Sequence, residues 1–118
     1  MINQLEIPMY LAEALPEISP DLTSAQKSNP YVAMNSLLTF TCDNIRAHNF
    51  NTVKTCFQVA DKFYSKGNAM VKNAVQNVFV FSFTKMFHNH PAEKKELMAI
   101  IPITLYSLYI SQVFHGGC

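Results

Sequence analysis

Glycine is scarce in this chain. Of its 118 residues only Gly67, Gly116 and Gly117 are glycine. A loop that cradles phosphate needs several glycines close together, so that backbone N–H groups can reach the anion. Neither a dinucleotide-binding fingerprint nor a P-loop can be written with these three. Cysteine is scarce too. Cys42, Cys56 and Cys118 make no C-x-x-C pair and no even framework. That pattern argues for reduced thiols in a cytoplasm rather than a disulfide scaffold. Cys118 stands last, where it does not read as the modified cysteine of a C-a-a-X box.

Charge is the third shortage. Only 14% of residues are charged, and the formal net charge is +1. So even a balance gives no overall field that would gather nucleic acid or an acidic partner. No base precedes Lys27, and Glu6, Glu13, Glu17 and Asp21 make the first segment acidic. Lys54, Lys62 and Lys66 form a basic stripe, but Asp61 lies within it and no aromatic residue alternates with it. A solvated helix face fits that better than a nucleic-acid interface. The start, MINQLEIPMYLAE, has neither a basic region nor a long apolar run, so no secretory signal is expected. From Leu97 onward there is no Asp, Glu, Lys or Arg. Pro102, Thr104, Ser107, Ser111 and Gln112 dilute that segment, which favours packing on protein over crossing a membrane.

What the chain has in quantity is apolar material, 49% of its residues. That supports one domain over 1–118, with 1–28 a partly extended N-terminal segment. The chain is organised around 67–87. Gly67 suits a helix end and Asn68 a new N-cap. Val71, Ala74, Val75, Val78, Phe79 and Met86 then recur at steps of three and four, and Val80, Phe81, Phe83 and Phe87 fill the other side. No charge falls between Lys72 and Lys85. A helix apolar all round is a buried helix, so this one is expected at the centre, with Val78 and Phe79 buried.

Other helices are expected around it. Residues 5–14 read as a short first helix with Leu5, Met9, Leu11 and Leu15 inward and Pro8 in its first turn. Glu17 to Ser28 read as a loop. Asn29-Pro30 is a strong start signal for a helix to about His48, with Tyr31, Met34, Leu38, Cys42 and Ile45 on its inner face. Phe50, Val53, Phe57, Ala60, Phe63 and Tyr64 mark the next helix. Its short connections imply antiparallel neighbours. A turn at His88 to His90 precedes a helix beginning at Pro91, and Pro102 separates that from a last helix over 103–114.

Several residues invite chemistry. His88, His90, Glu93, His115 and Cys118 could be metal ligands, but no H-E-x-x-H or paired cysteine spacing is present, so no metal or other cofactor is expected. Cys42 and Cys56 are equidistant from Asn49, with His48 nearby. Free cysteines usually serve as small core residues, and no acid, base and nucleophile set is recognisable. An enzyme is therefore not expected, and no catalytic residue is assigned.

The stretch from Cys56 to Phe83, CFQVADKFYSKGNAMVKNAVQNVFVFSF, resembles a family of small, functionally uncharacterised bacterial helical proteins. Phe57, Ala60, Tyr64, Gly67-Asn68, Val71, Asn73-Ala74 and Asn77-Val78-Phe79 carry the likeness. Leu97 to Tyr109, a proline before a leucine and tyrosine helix, is similar to that family's C-terminal end. The resemblance implies HEAT-like α-hairpins and brings no catalytic residues.

Together these features predict an all-α fold: five or six helices in antiparallel hairpins around a buried central helix, HEAT-like or an irregular bundle. The expected function is protein interaction, as a homodimer or by binding another partner, as small immunity proteins do. The expected interface is Leu105, Tyr106, Tyr109 and Phe114, unless the N-terminal segment covers this helix through Leu5, Met9 and Leu11. The alternative is an apolar small molecule held between helices by Phe79, Phe83, Met86 and Tyr109.

Overall fold

The computed structural model describes residues 1–3, 5–15 and 29–116, with side chains as far as Gln112. The fold is all-α. Helix α1 runs Ile7–Ala14 and α2 runs Pro30–Arg46. Helix α3 runs Phe50–Lys66 and α4 runs Ala69–Ala74. The chain continues without a break through a wide π-turn at Val75–Phe79, a tight 3-10 turn at Val80–Ser82 and α5 at Phe83–Asn89. A short 3-10 turn at Pro91–Glu93 leads into α6, Lys94–Ile100, and α7 is Ile103–Gly116. The expected loop over 17–28 lies outside the described residues.

Local chemistry sets the boundaries. The Asn29 side chain accepts hydrogen bonds from the N–H groups of Tyr31 and Val32, at 2.9 and 3.3 Å. Pro30 follows at the first helical position, where a missing donor costs nothing. The Asn68 carboxamide accepts from Val71 N–H at 3.0 Å. Between these caps α2 and α3 are joined through 47–49, where His48 takes a left-handed φ of 58°. That conformation turns the chain sharply enough for α2 and α3 to lie along one another.

The inner face of α2 is Ala33, Met34, Leu37, Thr41 and Ile45. The expected stripe through Tyr31, Leu38 and Cys42 is rotated to the edge: Tyr31 is exposed and the other two are half-buried. Thr41 can afford its buried place because its hydroxyl donates to the Leu37 carbonyl at 2.7 Å. Helix α3 buries Val53, Cys56, Phe57, Val59, Ala60 and Phe63. Lys54, Gln58, Lys62 and Lys66 stay in solvent, as their spacing predicts. Helix α1 corrects the sequence reading. Its buried residues are Ile7 and Leu11, followed by Leu15, while Leu5 and Met9 are 68% and 53% exposed. With Pro8 in the first turn, the helix starts at Ile7, and the i, i+4 pair Ile7 and Leu11 becomes the inward row.

The central helix is the expected one, but it is not a uniform α-helix. Carried on from Val71 at ~100° per residue, an α-helix would set Val78 and Ser82 within about 20° of Val71 and Val80 about 180° away. Observed burial differs. Phe79, Val80 and Phe83 are fully buried, Val78 is only half-buried, and Phe81 is 71% exposed. The wide turn is the cause. Val80 N–H donates to the carbonyls of both Gln76 and Val75, so an extra residue enters the turn and every side chain after it lags. Phe79 thereby takes the core position that an α-helix would give Val78. Phe83 N–H then donates to the Val80 carbonyl, and this tight turn recovers part of the lag. The buried rows before and after the two turns are thus both kept.

Strand pairing among the described residues is a single bridge. Ile2 N–H donates to the Lys66 carbonyl at 2.7 Å, and Asn68 N–H donates to the Ile2 carbonyl at 2.8 Å. Residues 1–3 are thereby stitched across the corner between α3 and α4, with Ile2 buried.

Candidate functional site

Phe79, Phe83 and Tyr109 belong to one aromatic cluster, and Met86 is buried in the same core. Phe57 stands edge-on to Phe79 at 5.9 Å and to Phe83 at 5.8 Å between ring centroids. Phe79 and Phe83 are 5.6 Å apart, and Tyr109 touches Phe83 at 5.9 Å and Phe87 at 5.4 Å. Such tilted and T-shaped pairs join the positive ring edge to the negative face. Phe79 and Phe83 have no exposed surface, and Met86 only 2%. These side chains are packed as core, ring against ring.

Helix α7 closes this cluster on one side. Leu105 is fully buried, which takes it out of the expected interface: it faces the chain's own core. Tyr106 and Tyr109 are half-buried, with their rings 6.3 Å apart. The Phe114 side chain lies outside the described residues. Gln112 Nε2 donates to the Gln76 carbonyl at 2.9 Å, tying α7 to the wide turn of the central helix.

The opposite side of α7 is the finding the sequence reading missed. Ile103 is 81% exposed. At ~100° per residue, Ile103, Ser107 and Ile110 share one face, roughly opposite Leu105 and Gln112. Ser107 and Ser111 are exposed and Ile110 half-buried, and the whole helix carries no Asp, Glu, Lys or Arg. Pro102 marks where the helix starts, whereas the facing follows from the burial of Leu105 in the fold. The expected N-terminal cover is not what the structure shows. Helix α1 lies on α2 and α3, Tyr10 stands edge-on to Phe63 at 6.1 Å, and Leu5 and Met9 point to solvent.

The remaining reactive groups stand apart. Cys56 is buried, and burial pushes its thiol up to about 11. Cys42 is half-buried, and burial raises its thiol as well. Both are free, and at neutral pH both hold their protons, which suits core packing rather than nucleophilic attack. His48 Nδ1 lies 3.9 Å from Glu93 Oε1, bringing the turn at 47–49 to the turn at 90–93. Among the described residues no group of three His, Cys, Asp or Glu side chains converges as a metal would require. No helix there is long and apolar enough to cross a membrane. Shallow clefts open on the surface among the described residues. One of about 500 Å³ is bordered by Met1, Ile2, Glu6, Tyr10 and Lys66, and one of about 240 Å³ by Asn35, Ser36, Thr39, Phe40 and Asp43.

A protein-family model matches residues 8–116, and its description is a domain of unknown function, DUF7674. No curated protein and no solved structure matches the chain.

Proposed function

The chain belongs to the DUF7674 family of unknown function, and on that premise we propose that it is a small helical protein-interaction module. Its binding surface is the outer face of α7, and the occupant is a second copy of the chain. The observation that carries this is Ile103, 81% exposed at the head of a helix without a single charge. Small monomers keep contiguous apolar surface limited, and uncharged apolar helix faces are where chains meet. Two copies can pair α7 with α7 about a two-fold axis, so that one patch satisfies itself and the assembly closes. Ile103 and Ile110 would lie at the centre, with Tyr106 at the rim, its ring covered and its hydroxyl wet. HEAT-like hairpin character and a bacterial source, implied by the resemblance, and a cytoplasmic setting, read from the cysteine pattern, go with this proposal.

Light scattering at micromolar concentration tests it. The native chain is expected to weigh as two copies. Ile103→Glu combined with Ile110→Lys is expected to weigh as one, with its helical circular dichroism unchanged. A native chain that weighs as one copy would sink the proposal.

A further inference from the structure

The wide turn at Val75–Phe79 is the irregular place in the central helix; α2 and α3 pack against it, α7 packs against the tight turn that follows, and Gln112 of α7 reaches back to it. Wide turns have no intrinsic advantage over α-helix, and they persist where the surroundings favour them. Here the surroundings are specific. Ring contacts run from Tyr109 of α7 to Phe83 and Phe87, just past the turn. Gln112 of α7 donates to the carbonyl of Gln76, inside the turn. Gln76 also accepts from Val80 N–H, which it shares with Val75. The main-chain bond at the turn is therefore divided between the α-helical partner and the wide-turn partner.

We propose that the wide turn and the seating of α7 form one two-state element. With α7 seated, the turn is wide, and Phe79, Val80 and Phe83 are all turned inward. With α7 displaced, residues 75–82 return to α-helical bonding. Val78 then moves into the core row and Val80 rotates away from it. The reason is differential contact, which is the only thing that can shift such an equilibrium. The wide register sets Phe83 against Tyr109 of α7, and Gln112 reaches its carbonyl only from the seated helix. Both advantages vanish together when α7 leaves, while the α-helical register keeps its single, undivided bond. The result is a helix that reports, along its own length, whether its neighbour is in place. This does not rest on the pairing of α7 faces in a dimer, because the inner side of α7 carries it.

Through-hydrogen-bond couplings in the nuclear magnetic resonance spectrum distinguish the two registers directly. In the native chain Val80 N–H should couple to the Val75 carbonyl. Two variants loosen α7: Gln112→Met, which keeps size and removes the donor, and Tyr109→Ala, which removes the ring contacts. In either, amide exchange in α7 should quicken by about fivefold or more, the factor that corresponds to one ordinary hydrogen bond. The Val75 coupling should weaken in step, with the Gln76 coupling taking its place. Quickened exchange in α7 with the Val75 coupling intact would overturn the proposal. So would a Gln112→Met chain in which neither quantity moves. If Tyr109→Ala fails to fold, Gln112→Met alone decides between these outcomes.

Discussion

Gly67 sits at φ −78° and ψ 160°, a conformation any residue adopts. Space is what requires glycine there. A Cβ built at that position would press on the Phe63 carbonyl oxygen and come within 2.6 Å of Val71 Cγ1. One contact is backbone at the end of α3 and the other is a buried side chain of α4, so neither can move aside cheaply. Gly67→Ala is therefore expected to cost about 1–3 kcal/mol, as overpacking does, read as a lower urea midpoint. A midpoint within error of the native one would mean the corner between α3 and α4 yields easily. Asp61 makes the opposite case. Its Oδ1 is buried without a hydrogen-bond partner, and burial pushes its carboxyl above the usual range. The folded chain thus holds this proton to a higher pH than the unfolded chain does. The group's favourable contribution is complete below the unfolded value, about 3.9, and is lost as pH rises through the folded one. Asp61→Asn should accordingly raise the urea midpoint at pH 7, and the gain should vanish near pH 3. A loss of stability at pH 7 would show that the carboxylate has a stabilising role. Neither residue's part was legible in full. Gly67 could be read as a helix end, but not as a close approach, because the approach depends on where α4 lands.

The wide turn decides which side chains of the central helix are core. Phe79 is fully buried and Val78 half-buried, although an apolar count ranks them alike. Phe79→Ala is expected to cost about 3–5 kcal/mol and Val78→Ala clearly less, under about 2 kcal/mol, both from denaturant midpoints. Equal costs would mean that the helix is α-helical through 75–79 in solution. This is also where sequence periodicity reaches its limit. In α3 the lysines mark the wet face and the inward row could be read directly. In 73–84 charge is absent, so three- and four-residue steps can be drawn through several faces at once. The register there is set by what packs against it, and that is long-range information. Caps fared better, because Asn29 and Asn68 act on N–H groups two or three residues away and depend on nothing else.

At the scale of the whole molecule the extents are 36 × 32 × 20 Å. The short dimension is about two helix diameters, so the fold is only two helices deep. Few helices can then be covered on all sides, and α7, on the outside, is not among them. The sequence reading placed an interface on this helix and named the wrong side of it for Leu105. The helical character was legible in the spacing, whereas the facing depended on contact with Phe83 and Phe87, which only the folded arrangement supplies.

The bridge at Ile2 joins positions far apart along the chain. Both of its hydrogen bonds are made to Lys66 and Asn68, and a chain grows from its N-terminus. When Ile2 leaves the ribosome, its partners have not yet been made. They appear only after α2 and α3 have been synthesised. Closing so long a loop is entropically costly until the helices that bracket it are paired. Residues 1–3 are thus among the last to settle, fastened over a corner whose two helices must already be formed. During that interval Ile2, buried once the corner is built, stays in water.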